Sequence, residues 1–282
     1  MKTSEFLTSL ISKGYCSFTS AQAREALNTS DIAVRAALRR LKQKGILAQP
    51  INGFYVIVPP EYRILGCRPA EHFITELMEY IGAPYYVGLL SAAQYHGAAH
   101  HRPQQFQIIT NQKRRAITCG RVKIVFITKK DAANTPTQKL NTSHGFVIAS
   151  TPEATAMDIV IYANRCGGLD NTLAVLTDLV EKIDSKKLLK LVSESEEITW
   201  VQRLGYLLES INAKQISNAL EKKISTRNKH IRILAPIKKN QTAYTMNYFT
   251  SPKLNKKNNS ISKPKINKKW KLIINKKLEP DT

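Results

Sequence analysis

Cysteine is scarce and badly placed for metal or redox chemistry. The four cysteines of the 282-residue chain, Cys16, Cys67, Cys119 and Cys166, stand about fifty residues apart and form no CxxC pair. This spacing excludes a zinc ribbon or a disulfide framework and reads as free thiols in a reducing compartment. No apolar run reaches the roughly 20 residues that a bilayer requires. The opening MKTSEFLTSLISKGY interrupts with Glu5 and serines where an export signal needs an apolar core, so a cytoplasmic protein with no membrane partner is expected. Phosphate-loop glycine patterns, HExxH and a Ser-His-Asp order are also missing; Gly167-Gly168 marks a turn. No cofactor is implied.

Negative charge is the other shortage. There are 21 acidic residues against 43 lysines and arginines, a formal charge of +22. Such an excess points to a polyanionic partner, with nucleic acid first. The charge is uneven: +4 over residues 1–62, +4 over 63–220 and +14 over 221–282.

Against that background one stretch stands out, Asn28 to Gly45. Asn28, Thr29 and Ser30 suit a helix N-cap, Asp31 complements the dipole in the first turn, and Gly45 suits the C-terminal stop. Val34, Ala37, Leu38 and Leu41 recur at helical spacing and form a core face. The opposite face carries Ile32, Arg35, Ala36, Arg39, Arg40 and Gln43. The segment before it predicts a helix over 3–13, an extended piece at 16–18, and a second helix over 21–27 capped by Thr19 or Ser20. After it, Asn52-Gly53 separates two apolar β-rich runs, the strongest short-range hairpin signal. Three helices and a hairpin give the winged helix-turn-helix order, expected over residues 1–60. The DNA contacts expected from it are Thr19, Ser20, Thr29, Ser30, Arg35, Arg39, Arg40, Lys42, Lys44 and, in the wing, Asn52.

Pro59-Pro60 reads as a joint. A mixed α/β domain is expected over 61–250, with a helix over 70–81, a short strand and helix in YYVGLLSAAQYHG, and strands over 106–110, 122–128 and 145–150. Thr151-Pro152-Glu153 opens a helix with proline at N1. Helical segments follow over 170–183, 185–193, 199–211 and 213–223, with a strand over 231–234. The overall class is α+β, ending in a helical part. Residues 251–282 form a Lys-rich segment whose last stretch, Trp270 to Asn275, reads as a strand returning to the second domain. Lys256, Lys257, Lys265, Lys268 and Lys269 are candidates for additional nucleic-acid contact.

Catalytic readings fare poorly. His96, His100 and His101 lack nearby carboxylates or cysteines, so no metal site is expected. Glu153 and Asp158 offer carboxylates to a divergent nuclease, but no acid precedes Lys123 in the two-residue spacing such a site wants. Asp158 is read as a buried group with Arg203 as a partner.

Four segments carry a resemblance: AVRAALRRLKQKGILAQPINGFYVIVP, YYVGLLSAAQYHG, STPEATAMDIVIYA, and QRLGYLLES with KKWKLIINKKLEPD. In order and spacing they resemble the AbiEi-type antitoxins of bacterial type IV toxin–antitoxin (abortive infection) systems. That resemblance implies a non-enzymatic, DNA-binding autorepressor acting on operator inverted repeats. It also implies a second domain that neutralises a cognate nucleotidyltransferase-like toxin without a stable complex. Two alternatives are a ligand-responsive winged-helix regulator and, less favoured, the nuclease.

Overall fold

In a computed structural model, residues 2–98, 104–142, 145–226, 230–235 and 265–278 are described. The architecture is α+β, and the chain divides into two compact units, 1–95 with 101–151 and 96–100 with 152–282.

The first unit opens with α1 (Thr3–Ser12), β1 (Ser17–Thr19), α2 (Ser20–Leu27), α3 (Asp31–Gln43), β2 (Leu47–Ile51) and β3 (Phe54–Ile57). The strands form an antiparallel sheet in the order β1-β3-β2, joined across the tight Asn52-Gly53 turn. Gly53 takes a φ of +81°, which the turn demands of its second residue. Phe6, Leu7, Phe18, Leu27, Val34, Leu38, Leu47 and Ile57 close a core between the three helices and one face of this sheet.

Alternation along β3 divides its side chains between two cores. Ile57 faces the helices, while Phe54, Val56 and the following Val58 point the other way into a second core with Phe73, Leu77 and Ile108. Both cores lie in the first compact unit, from which the chain passes finally to the second at residues 151–152.

The rest of this unit comprises α4 (Ile74–Ile81), β4 (Tyr85–Val87), α5 (Leu89–Tyr95), β5 (Phe106–Thr110), β6 (Ile117–Cys119), β7 (Val122–Thr128), β8 (Thr137–Thr142) and β9 (Gly145–Ser150). The sheet order is β6-β7-β5-β4-β9-β8, parallel at β5–β7 and β4–β9 and antiparallel elsewhere. The helix expected over 70–81 is interrupted. A 3-10 turn at Ala70–His72 gives way at Phe73, whose φ of −139° leaves the helical region so that its ring can be fully buried.

The second unit holds α6 (Pro152–Ile161), α7 (Leu169–Leu179), α8 (Ser185–Glu194), α9 (Thr199–Ser210), α10 (Lys214–Ile224), β10 (Arg232–Ile233), β11 (Lys265–Asn267) and β12 (Leu272–Ile274). β12 pairs in parallel with β10 and antiparallel with β11. Trp270, fully buried, lies against Gly205 of α9, and its indole N–H donates to Glu209 Oε2 at 2.7 Å. Lys276 pairs with Asp170 of α7.

Candidate nucleic-acid interface

The geometry of α3 follows from its ends. Asn28 adopts the left-handed conformation (φ +45°) that closes α2, so the chain turns within Asn28–Ser30 and restarts as a helix. Ser30 Oγ accepts from the Ala33 N–H at 3.3 Å, and Asp31 pairs with Arg24 at 3.4 Å. Val34 and Leu38 are buried, with Ala37 and Leu41 half-buried beside them. Everything else on the helix is exposed, including Ile32, Arg35, Ala36, Arg39, Arg40, Lys42 and Gln43. At about 100° per residue, Ile32 and Arg39 lie near the middle of this face, Arg35 and Lys42 on one flank, and Arg40 on the other. Ile32 is 81% exposed, a large apolar side chain held out in a cationic surface.

The flank toward the sheet is organised by residues that sequence reasoning passed over. Lys42 Nζ donates to Gln49 Oε1 at 2.9 Å, and Gln49 Nε2 donates to the Tyr55 hydroxyl at 3.3 Å. Burial raises the Tyr55 pKa, against the nearby positive charge of Arg35. Polar residues facing one another across α3, β2 and β3 are the signal, visible only once the strands pair. Lys42 thus spends one bond inside the fold. Arg40 returns its Nε–H to the Ala36 carbonyl at 3.3 Å.

The other expected residues divide by exposure. Thr29, Ser30, Lys44 and Asn52 are exposed, whereas Thr19 and Ser20 are half-buried. Thr19 forms a reciprocal capping box with Gln22, its hydroxyl accepting from the Gln22 N–H at 3.2 Å, so it serves α2 first. The hairpin turn is not a free arm. Ser20 N–H donates to the Gly53 carbonyl at 2.8 Å, and the Tyr80 hydroxyl of α4 donates to the Asn52 carbonyl at 3.2 Å.

Lys265 and Lys268 are exposed, while Lys256 and Lys257 lie outside the described residues. Lys269 does not fit a role in nucleic-acid contact. Its ammonium sits 3.2 Å from Glu209 and 3.3 Å from Glu221 and bonds Asn218. Burial works against its charge, but the two carboxylates outweigh it and raise the pKa.

The catalytic candidates are structural. Glu153, buried, accepts the Asp184 N–H at 2.8 Å and so fixes the start of α8. Asp158 is wholly buried, and Arg203 donates its Nε–H to the Ile233 carbonyl of β10 at 3.1 Å. Among the described residues no group of three His, Cys, Asp or Glu side chains is disposed to hold a metal. His100 and His101 lie outside them. No described helix is long and apolar enough to cross a membrane.

An exposed cationic helix on a small helical and β module, followed by a mixed sheet and a helical unit, defines an α+β protein. Its family is carried by the sequence from β4 to α9: residues 86–210 match the AbiEi antitoxin C-terminal domain. The chain thus carries an AbiEi-type antitoxin domain over these residues, a little under half of its length. No curated protein matches the sequence. Among solved structures, the RV2827C protein from Mycobacterium tuberculosis shares the fold, with a TM-score of 0.66 at 18% identity, over 96% of this chain and 90% of that one. An antigenic nucleotidyltransferase-like protein from Paracoccidioides brasiliensis gives a TM-score of 0.34 at 10% identity, over 54% of this chain and 90% of that one, too slight a likeness to bear on function.

Proposed function

We propose that this chain is a winged helix-turn-helix DNA-binding antitoxin. It represses its own operon at inverted repeats and neutralises a cognate nucleotidyltransferase-like toxin without forming a stable complex with it. The single observation carrying the DNA-binding half is the solvent face of α3, where three arginines surround an exposed Ile32 on a helix locked from behind by Val34 and Leu38. Arg35 and Arg39 suit bidentate reading of guanine in the major groove, and Ile32 suits a thymine methyl. Arg40, Lys42, Lys44 and the Thr29 hydroxyl suit phosphates, with Asn52 at the edge of the footprint. Ser30, Thr19 and Ser20 contribute by orienting α2 and α3. The antitoxin half rests on the AbiEi domain.

A mobility shift on the DNA upstream of the chain's own gene, against excess random DNA and at two salt concentrations, tests the first half. Competitor-resistant binding is expected. Arg39→Ala should lose roughly 1–3 kcal/mol of preference for the operator. Lys44→Ala should weaken all sequences alike and lower the salt slope by about one. Equal loss on operator and random DNA for Arg39→Ala, or no operator preference at all, would refute base reading by α3. Co-expression with an adjacent nucleotidyltransferase-type gene tests the antitoxin half, which fails if growth is not restored.

A further inference from the structure

Three of the four dispersed cysteines meet inside the first unit. Cys16, Cys67 and Cys119 are all buried in the core that β3 shares with the six-stranded sheet. Glycines bring two of them together. A Cβ on Gly120 would stand 2.1 Å from the Leu65 carbonyl oxygen and 2.8 Å from Gly66 Cα, and one on Gly66 would stand 3.1 Å from Gly120 Cα. Both glycines have positive φ, and the Arg121 N–H donates to the Leu65 carbonyl at 2.7 Å. Two backbones touch here because neither carries a side chain at the crossing. Cys67 follows the first glycine and Cys119 precedes the second, and the two thiols share one buried core, close enough to shift each other's ionisation. A disulfide needs Cα atoms within roughly 7 Å, and the glycine contact brings the two chain segments together at the residues next to both cysteines.

The two thiols are not equivalent. Cys67 is fully enclosed, while Cys119 keeps 8% exposure at the end of β6, an edge strand of its sheet. The neighbouring Cys67, with the Gln49 N–H and the Lys42 charge, draws the Cys119 thiol below its ordinary pKa against the effect of burial. The residual exposure of Cys119 at the sheet edge makes it the sulfur that an oxidant reaches first, and the enclosed Cys67 its resolving partner. Cys16 is engaged elsewhere, its S–H donating to the His72 carbonyl at 2.8 Å.

We propose that Cys67 and Cys119 form an oxidative modification site, a thiol pair that a peroxide closes into a disulfide. The Cys119 thiolate attacks one peroxide oxygen and the O–O bond breaks. Hydroxide leaves and takes up a proton as water, giving a sulfenic acid. The Cys67 sulfur then attacks the Cys119 sulfur, the S–O bond breaks, and the departing hydroxide takes the Cys67 proton as a second water. Two thiols and one hydrogen peroxide become one disulfide and two waters. The bond ties the chain leaving β3 to the β6–β7 hairpin.

The test treats the reduced full-length protein with roughly one equivalent of hydrogen peroxide. It is then denatured, its free thiols are counted by maleimide labelling, and its peptides are mapped by mass. The count should fall from four to two, with a peptide joining Cys67 to Cys119. Cys16→Ala and Cys166→Ala should each fall from three to one, and Cys119→Ala should form no intramolecular disulfide. Dithiothreitol should restore all four thiols in the unsubstituted chain. Oxidation should also raise Tm by roughly 5 °C or more. Four thiols surviving the oxidant, a disulfide that uses Cys16 instead, or sulfinic acid on Cys119 without a crosslink would each overturn the proposal. Mapping the unsubstituted protein decides the matter even if a variant does not fold.

Discussion

Replacing Gly205 by alanine should destabilise the protein, although helix propensity argues for the opposite. Gly205 lies inside α9, where alanine is worth about 0.5–1 kcal/mol more than glycine. In the folded chain, however, a Cβ there would stand 2.1, 2.3 and 2.5 Å from Cη2, Cζ3 and Cζ2 of Trp270, where ordinary contact begins at 3.4 Å. The indole must therefore withdraw by about an ångström, and it is poorly free to do so. It is completely buried, it donates to Glu209 at 2.7 Å, and its backbone N–H donates to Asn267 Oδ1 at 2.9 Å. Glu209 is itself held by Lys269. Overpacking costs about 1–3 kcal/mol, and weakening a bond to a carboxylate costs about 1.5 kcal/mol more. After the propensity gain, a net loss of about 2–3 kcal/mol is expected, a fall in Tm of roughly 5–10 °C. Circular-dichroism melts of Gly205→Ala measure it. The double variant with Trp270→Leu should lose less than the sum of the two single losses, because the smaller side chain leaves room for the new methyl. A Tm equal to or above that of the unsubstituted chain would show that the indole does not hold the position on which the reasoning depends.

Two further outcomes follow from the same kind of argument. Burial, with Asp158 adding to it, pushes the Cys166 thiol up from 9.0 to about 12. A group whose pKa is raised on folding gives stability that is fully present below pH 9 and is lost as pH rises toward 12. At pH 11 this thiol alone should have withdrawn roughly 2–3 kcal/mol. Cys166→Ala should therefore show a flatter fall of Tm between pH 9 and 11, and parallel curves would contradict the assignment. Gly53→Ala should cost about 1–2 kcal/mol in urea unfolding, because φ is +81° and the new Cβ would lie 2.4 Å from the Tyr80 hydroxyl. Adding Tyr80→Phe should recover part of that loss, and no recovery would mean that the hydroxyl does not press on the turn.

Much of the first unit was legible because its signals are local. The caps around Asn28–Ser30 and the Asn52-Gly53 turn act within a few residues of themselves, and α3, β2 and β3 lie where those signals put them. β6 and β8 were not legible. Both are edge strands, and β8 (Thr137–Thr142) alternates exposed and half-buried residues with a single strongly apolar side chain, so it leaves no hydrophobic pattern. The cationic face of α3 could be listed from periodicity alone. That Lys42 turns toward Gln49, that Tyr80 holds the Asn52 turn, and that Lys269 is taken by Glu209 and Glu221 could not.

The sequence by itself determined the charge, the helices with their caps, the tight hairpin and the family resemblance, because each is written in neighbouring residues or in their order. Tertiary structure alone decided where the units divide, which lysines remain on the surface, and why Gly205 and Gly120 are glycines. It also brought three evenly scattered cysteines into one core. The physical reason is the same in each case: contact between different elements is fixed by packing and backbone approach, and neither leaves a mark on the local pattern of the chain.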